Sequence, residues 1–199
     1  MASSQKVSSA PREKKKTPIV MLGNPILRAV SKTVSKQEMV SAPFKQFLRK
    51  MFLACEQYEG VGIAAPQLGN NKRVFVMYIH DTSTRKVKKI VKEVFINPKI
   101  IQFSNKIKAD WEGCLSLPDV LGKVPRPTEV DVEYTNAEGE RVTKHFNQLE
   151  ARIIQHEIDH LDGIMYTDRM DDMRTLMTVS EFRKLKKAET KAKARSKSE

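Results

Sequence analysis

Cysteine is scarce: only Cys55 and Cys114 occur among 199 residues. So few thiols call for no disulfide framework and fit a reducing compartment. Long apolar runs are missing too. The longest, such as 19–22 and 74–79, fall far short of the about 18 residues a membrane-spanning helix needs, so a soluble protein with no membrane partner is expected. The N-terminus also lacks the basic start, apolar core and small-residue cleavage site of a secretory signal.

Acidic residues are sparse at both ends. Residues 1–17 hold five Lys or Arg against one Glu, giving +4, and 181–199 hold eight against three, giving +5, which leaves only +3 of the net +12 for 18–180. The chain therefore divides into a basic Ser/Lys-rich flexible leader (1–17), one folded domain (18–180) and a basic tail (181–199) into which a last helix frays from about Ser180. A length of 199 residues with 40% hydrophobic content suits a single well-buried domain. Charge confined to low-complexity tails reads either as a solvated feature or as contact with RNA or another polyanion by phosphate neutralisation. The expected location is the cytoplasm; the leader keeps a mitochondrial or plastid destination open.

In the middle of the chain, Ser41 and Pro43 are placed to start a helix over 43–58, whose apolar face takes Phe44, Phe47, Leu48, Met51, Phe52, Cys55 and Tyr58. Cys55 on that face reads as a small core residue. Gly60 stands where such a helix ends. Strands follow at 73–79, 93–96 and 100–103, with a solvated loop over 81–92 that contains five Lys or Arg. Alternation over 130–134 and 142–146, with turn residues at 136–139, predicts a hairpin. Asn147 with Glu150 resembles a capping box for a helix over 148–162, which Gly163 can end.

The stretch GVGIAAPQLG (60–69) contains Gly60-x-Gly62-x-x-Ala65, a match to the dinucleotide fingerprint. That fingerprint needs a strand before the glycines and a helix opening on them. Here a helix ends at Gly60 and Pro66 would interrupt the next, so no nucleotide cofactor is expected. The bare backbone instead lets another chain approach closely.

Chemistry concentrates in QHEIDH (155–160), which holds two of the four histidines. His156 and His160 lie about 40° apart around a helix and about 6 Å along it, so both can grip one cation. Glu157, about 100° from His156, sits beside that face, within reach of a water on the metal. Two histidines leave a catalytic site short of ligands. No histidine follows Gly163, and Asp168, Asp171 and Asp172 read as caps or solvated charges. Upstream, Cys114 in WEGCLSLP is either the third ligand or a buried inert cysteine.

Together, GVGIAAPQ (60–67), EGCLS (112–116) and QHEIDH (155–160), with GNPILR at 23–28, resemble the motifs of the peptide deformylases in order and separation over about 18–170. The resemblance implies an α+β fold with antiparallel strands wrapped around the HExxH helix and the 43–58 helix outside. It implies Cys114, His156 and His160 as ligands of one divalent metal, Fe2+ natively in many members, with Zn2+, Ni2+ or Co2+ also accepted. Glu157 matches the general base and acid, while Gln67 and the backbone N–H of Leu115 match the oxyanion donors. The implied reaction is hydrolysis of the N-formyl group from the initiator methionine of nascent peptides. The peptide is expected as an added strand near Gly60, Gly62 and Ile63, with its methionine side chain near Ile153. Glu112 and Arg126 match a supporting pair, and Asp159 is either a further support or a solvated charge. The basic tail fits a family that works at the ribosome.

An HExxH metalloprotease would share the helix but leaves Cys114 and Gln67 without a role. A non-enzymatic RNA-binding module would rest on the tails alone, since the near-neutral core has no RNA motif with stacking aromatics.

Overall fold

Four helices and eight strands, joined by short 3-10 turns, make up residues 16–195, the part of the chain that the computed structural model describes. In chain order they are α1 (Lys36–Met39), α2 (Ala42–Gln57), β1 (Gly62–Ala64), β2 (Val74–Ile79), β3 (Val91–Phe103), β4 (Ile107–Cys114), β5 (Leu117–Pro127), β6 (Glu129–Thr135), β7 (Arg141–Asn147), α3 (Gln148–Leu161), β8 (Met177–Thr178) and α4 (Val179–Arg195). Most of the expected leader lies outside the described residues. Thr17 does not: its N–H donates to Gln57 Oε1 at 2.8 Å and its carbonyl accepts from the Tyr58 hydroxyl at 2.9 Å, so the packed chain begins before residue 18.

All strands pair antiparallel, in a five-stranded sheet ordered β1-β2-β3-β6-β7 and a three-stranded sheet ordered β4-β5-β8. The larger sheet is covered on both faces. From β2, Phe75, Met77 and Ile79 pack with Phe95, Phe146 and the α3 residues Ile154 and Leu161. Val74 and Val76 point the other way and join Val94, Ile96 and the α2 residues Leu48 and Met51. A strand buried on both faces reads as an unbroken apolar run, which is what VFVMYI is. The α+β arrangement is as expected, with strands around α3 and α2 outside.

Ser41 caps α2 through its Oγ, which accepts from the Phe44 N–H at 3.3 Å, and Cys55 is fully buried in the helix's apolar face. The left-handed residue that ends the helix is Glu59 (φ 54°), not Gly60. Gly60 is small for another reason: a Cβ there would lie 3.2 Å from Leu115 Cδ1 and 3.3 Å from Cys55 Sγ.

Two local expectations are corrected, and one hairpin is new. The strands at 93–96 and 100–103 are one strand, β3, which passes Pro98 through a register shift between Ile96 and Lys99. Asn97 takes φ 51° there, and its side chain accepts from the Val34 N–H and donates to the Val34 carbonyl at 2.8 Å each. Asn147 makes no side-chain cap on α3, because it is the last residue of β7, paired with Glu129, and the chain enters the helix through Gln148 at φ 49°. The β4–β5 hairpin was not anticipated: Pro118, Pro125 and Pro127 mask β5, and a proline is tolerated there where its missing N–H faces away from the paired strand.

Candidate active site

Helix geometry puts His156 and His160 on one face of α3, with ring centroids 4.9 Å apart and planes at 88°. Cys114 ends β4 and brings its Sγ to 3.2 Å from His160 Nε2. One ligand atom from each of Cys114, His156 and His160 lies within 4.8 Å of the others. The sequence left Cys114 between ligand and inert thiol; the hairpin sets it against both imidazoles.

A buried carboxylate orients the first of these imidazoles. Glu112 Oε2 stands 2.9 Å from His156 Nδ1, while Arg126 grips both Glu112 oxygens, Nε to Oε1 at 2.7 Å and Nη2 to Oε2 at 2.9 Å. Burial opposes a charge on Glu112, but His156 and Arg126 overcome it and hold its carboxyl well below the usual range. As a carboxylate Glu112 only accepts, so His156 donates from Nδ1 and turns Nε2 toward Cys114 and His160. Arg126 Nη1 continues to Asp159 at 2.8 Å, which Arg169 caps at 2.8 Å, so Asp159 is a buried support and not a solvated charge.

This donor set fits a divalent cation. Burial works against protonation of His156, yet its contacts with Cys114 and Glu112 raise its pKa well above the ordinary value. Burial, with His156 adding, lowers that of His160. The site thus stabilises positive charge beside the thiol while keeping one imidazole neutral, and a cation that displaces a proton on binding satisfies both.

Glu157 is buried beside the triad, and its Oε2 has no hydrogen-bond partner among the described residues. Burial, with Glu112 adding and His156 and Arg126 opposing, pushes its pKa up to about 7, the range in which a carboxyl can both take and return a proton. The partner strand must be bare there, since a Cβ on Gly62 would fall 2.6 Å from Glu157 Oε1. Gln67 sits in the 3-10 turn Ala65–Leu68 and is 2% exposed. The Ala64 N–H, which can only donate, fixes its Oε1 at 2.8 Å and so aims Nε2 at Cys114 Sγ (3.4 Å) and Ser116 Oγ (3.2 Å).

These groups open on a cavity of about 590 Å³. Gly60, Gly62, Leu115 and Ile153 line it; Ile63 does not, because its side chain is fully buried in the α2-facing core. With its side chain turned into that core, Ile63 can meet a peptide only by its backbone, while Val61, just before the strand, joins the wall. Sequence reasoning missed Trp111, Leu149 and Arg152 on this wall. Arg152 could have been found, because it lies four residues before His156 on the same face of the helix.

A sequence model described as polypeptide deformylase matches residues 16–175. Peptide deformylase 2 of Nostoc sp. is 35% identical over 181 residues, covering 87% of this chain and 97% of the relative. The peptide deformylase of Treponema pallidum is 40% identical over 153 residues, covering 77% and 87%. Among solved structures, the Met-Ala-Ser-bound class I type b peptide deformylase from Acinetobacter baumannii is similar at TM-score 0.72 and 35% identity, over 78% of this chain and 99% of that one. A Synechococcus elongatus peptide deformylase in complex with actinonin is similar at TM-score 0.71 and 32% identity, over 87% and 90%.

Proposed function

The chain belongs to the polypeptide deformylase family, and from that premise we propose that Cys114, His156 and His160 hold its metal while Glu157, Gln67 and the Leu115 N–H move proton and charge. The enzyme is a metal-dependent hydrolase that removes the N-formyl group from the initiator methionine of nascent peptides and releases formate. The observation that carries the assignment is the convergence of three donor atoms within 4.8 Å beside a buried, partnerless Glu157 oxygen.

When bound, a divalent ion supplies Lewis-acid polarisation and lowers the pKa of a water. Glu157 Oε2 takes the proton as water adds to the formyl carbon, then returns it to the amine as the C–N bond breaks. Gln67 Nε2 and the Leu115 N–H stabilise the negative charge that develops on the formyl oxygen, worth about 3 kcal/mol per donor. Fe2+ is the proposed native ion, with Zn2+, Ni2+ or Co2+ as substitutes, since one thiolate and two imidazoles suit all four.

The peptide adds as a strand. β1 and β4 are each an edge of their sheet, and Gly60, Gly62, Trp111 and Gly113 on or beside them line the same cavity, so an extended substrate can pair with backbone on entry. Its methionine fills the apolar wall at Ile153 and Leu149. The proposed catalytic unit is 18–180, with Thr17 packed onto it at the end of the basic leader (1–17), and the basic tail (181–199) follows. Within the tail, α4 extends the basic segment as a helix, which supports contact with ribosomal RNA. The proposed location is the cytoplasm; among the described residues no helix is long and apolar enough to cross a membrane.

Formate release from formyl-Met-Ala-Ser under anaerobic conditions tests the assignment. The parent should turn the peptide over and leave unformylated Met-Ala-Ser intact, whereas Glu157→Ala should lose about 10²–10⁴-fold in kcat. Full turnover by that variant would remove Glu157 from the mechanism. Ribosome binding should weaken with salt and with deletion of 181–199; insensitivity to either removes the tail's role.

A further inference from the structure

Two of the three metal donors sit on α3 and the third ends β4, so the triad exists only while helix and hairpin keep a fixed relation. Among the side chains that span that joint, one reaches from the helix to both strands. Arg152, one turn before His156, donates from Nη1 to Glu112 Oε1 (2.6 Å) and to the Val124 carbonyl (2.9 Å), and from Nη2 to the Lys108 carbonyl (2.6 Å). Lys108 and Glu112 belong to β4 and Val124 to β5. A single guanidinium rooted in the helix therefore holds both strands of the arm that carries Cys114.

The same contact reaches the histidine. Glu112 Oε1 is shared by Arg152 and Arg126, while Oε2 takes Arg126 and His156. Arg126 is divided between two buried carboxylates, Glu112 and Asp159, so it cannot neutralise both. Arg152 supplies the second cation at Glu112 and fixes the carboxylate plane on which His156 Nδ1 depends.

We infer that Arg152 is a positioning residue for the metal site, acting through Glu112 on His156 and through two hairpin carbonyls on Cys114. It rests on the assignment of Cys114, His156 and His160 as ligands. The cobalt-loaded full chain, titrated with a chelator and followed by visible absorption, tests it in the parent, Arg152→Met, Arg152→Lys and Cys114→Ala. Methionine keeps an apolar stem without donors, and lysine keeps a charge that cannot span three acceptors.

The parent should show a thiolate-to-cobalt band that Cys114→Ala lacks. Arg152→Met should release cobalt at about 10–100-fold lower chelator concentration, with altered d–d bands, and Arg152→Lys should fall between. A parent without the thiolate band refutes the ligand assignment. A parent with it, matched by Arg152→Met in midpoint and spectrum, overturns the role of Arg152 alone. So does a lowered melting temperature with spectrum and midpoint unchanged, the mark of a purely structural residue. If circular dichroism shows Arg152→Met unfolded, Arg152→Lys decides by the same two readouts, and equality with the parent overturns the proposal.

Discussion

Helix α3 and the β4–β5 hairpin both furnish the site, but they hold their groups by different means. His156, Glu157 and His160 are fixed relative to one another by five residues of helix. Cys114 is placed by a cross-strand ladder running from Ile107↔Pro127 to Cys114↔Leu117, with a register shift at its end, and by the ion pairs that its neighbour Glu112 makes with Arg126 across the hairpin and with Arg152 on α3. The helix encodes its part of the site locally, whereas the hairpin encodes its part through contacts that form only on folding. Replacing Glu157 on the helix should therefore remove chemistry from a standing site, and replacing Cys114 on the hairpin should remove the site.

The largest effect should separate the two most sharply. Cys114→Ala and Glu157→Ala should both suppress formate release, but purified Glu157→Ala should retain close to one metal per chain while Cys114→Ala loses most of it. Elemental analysis alongside turnover reads the difference. Equal metal content in the two variants would mean that the hairpin contributes no ligand.

Next in size is Arg126→Ala. It strands the carboxylates of Glu112 and Asp159, which are 6% and 5% exposed, and breaking such a pair costs about 3–5 kcal/mol. Arg152 and Arg169 remain on those carboxylates, so the loss should lie at the lower end. Urea unfolding measures it, and a loss below about 1 kcal/mol would show that the hairpin does not depend on this pair.

The same division explains what could be read in the sequence. The helix was legible because the spacing of His156 and His160 converts directly into a shared face, as the period of Phe44, Leu48, Met51 and Cys55 did for α2. Cys55 was assigned to the core from that period, and it is fully buried, with its thiol pushed up to about 12 by burial. Cys114 could not be assigned from residue chemistry alone, because no local period surrounds it and the prolines of β5 obscure the hairpin that presents it; the family's motif order supplied it. The failed cap at Asn147 and the continuous β3 share a cause: pairing with Glu129 and the turn at Asn97 are tertiary facts that override local preference.

The smallest effects come from two glycines of one motif that face the two regions separately. A methyl on Gly62 would meet Glu157 of the helix at 2.6 Å from Oε1 and 3.0 Å from Cγ and Cδ. A methyl on Gly60 would meet the hairpin's Leu115 at 3.2 Å, the end of a movable side chain, and Cys55 Sγ at 3.3 Å. Glu157 cannot yield as Leu115 can without leaving its place by the triad, so Gly62→Ala should displace the proton carrier at a cost of about 1–3 kcal/mol, roughly 5–150-fold in kcat/KM. Gly60→Ala should cost several-fold less. Steady-state kinetics on formyl-Met-Ala-Ser, with metal content checked in both, measures the gap. Equal losses would mean that the motif's small residues serve peptide entry alone, and that the strand's contact with the helix plays no part in setting Glu157.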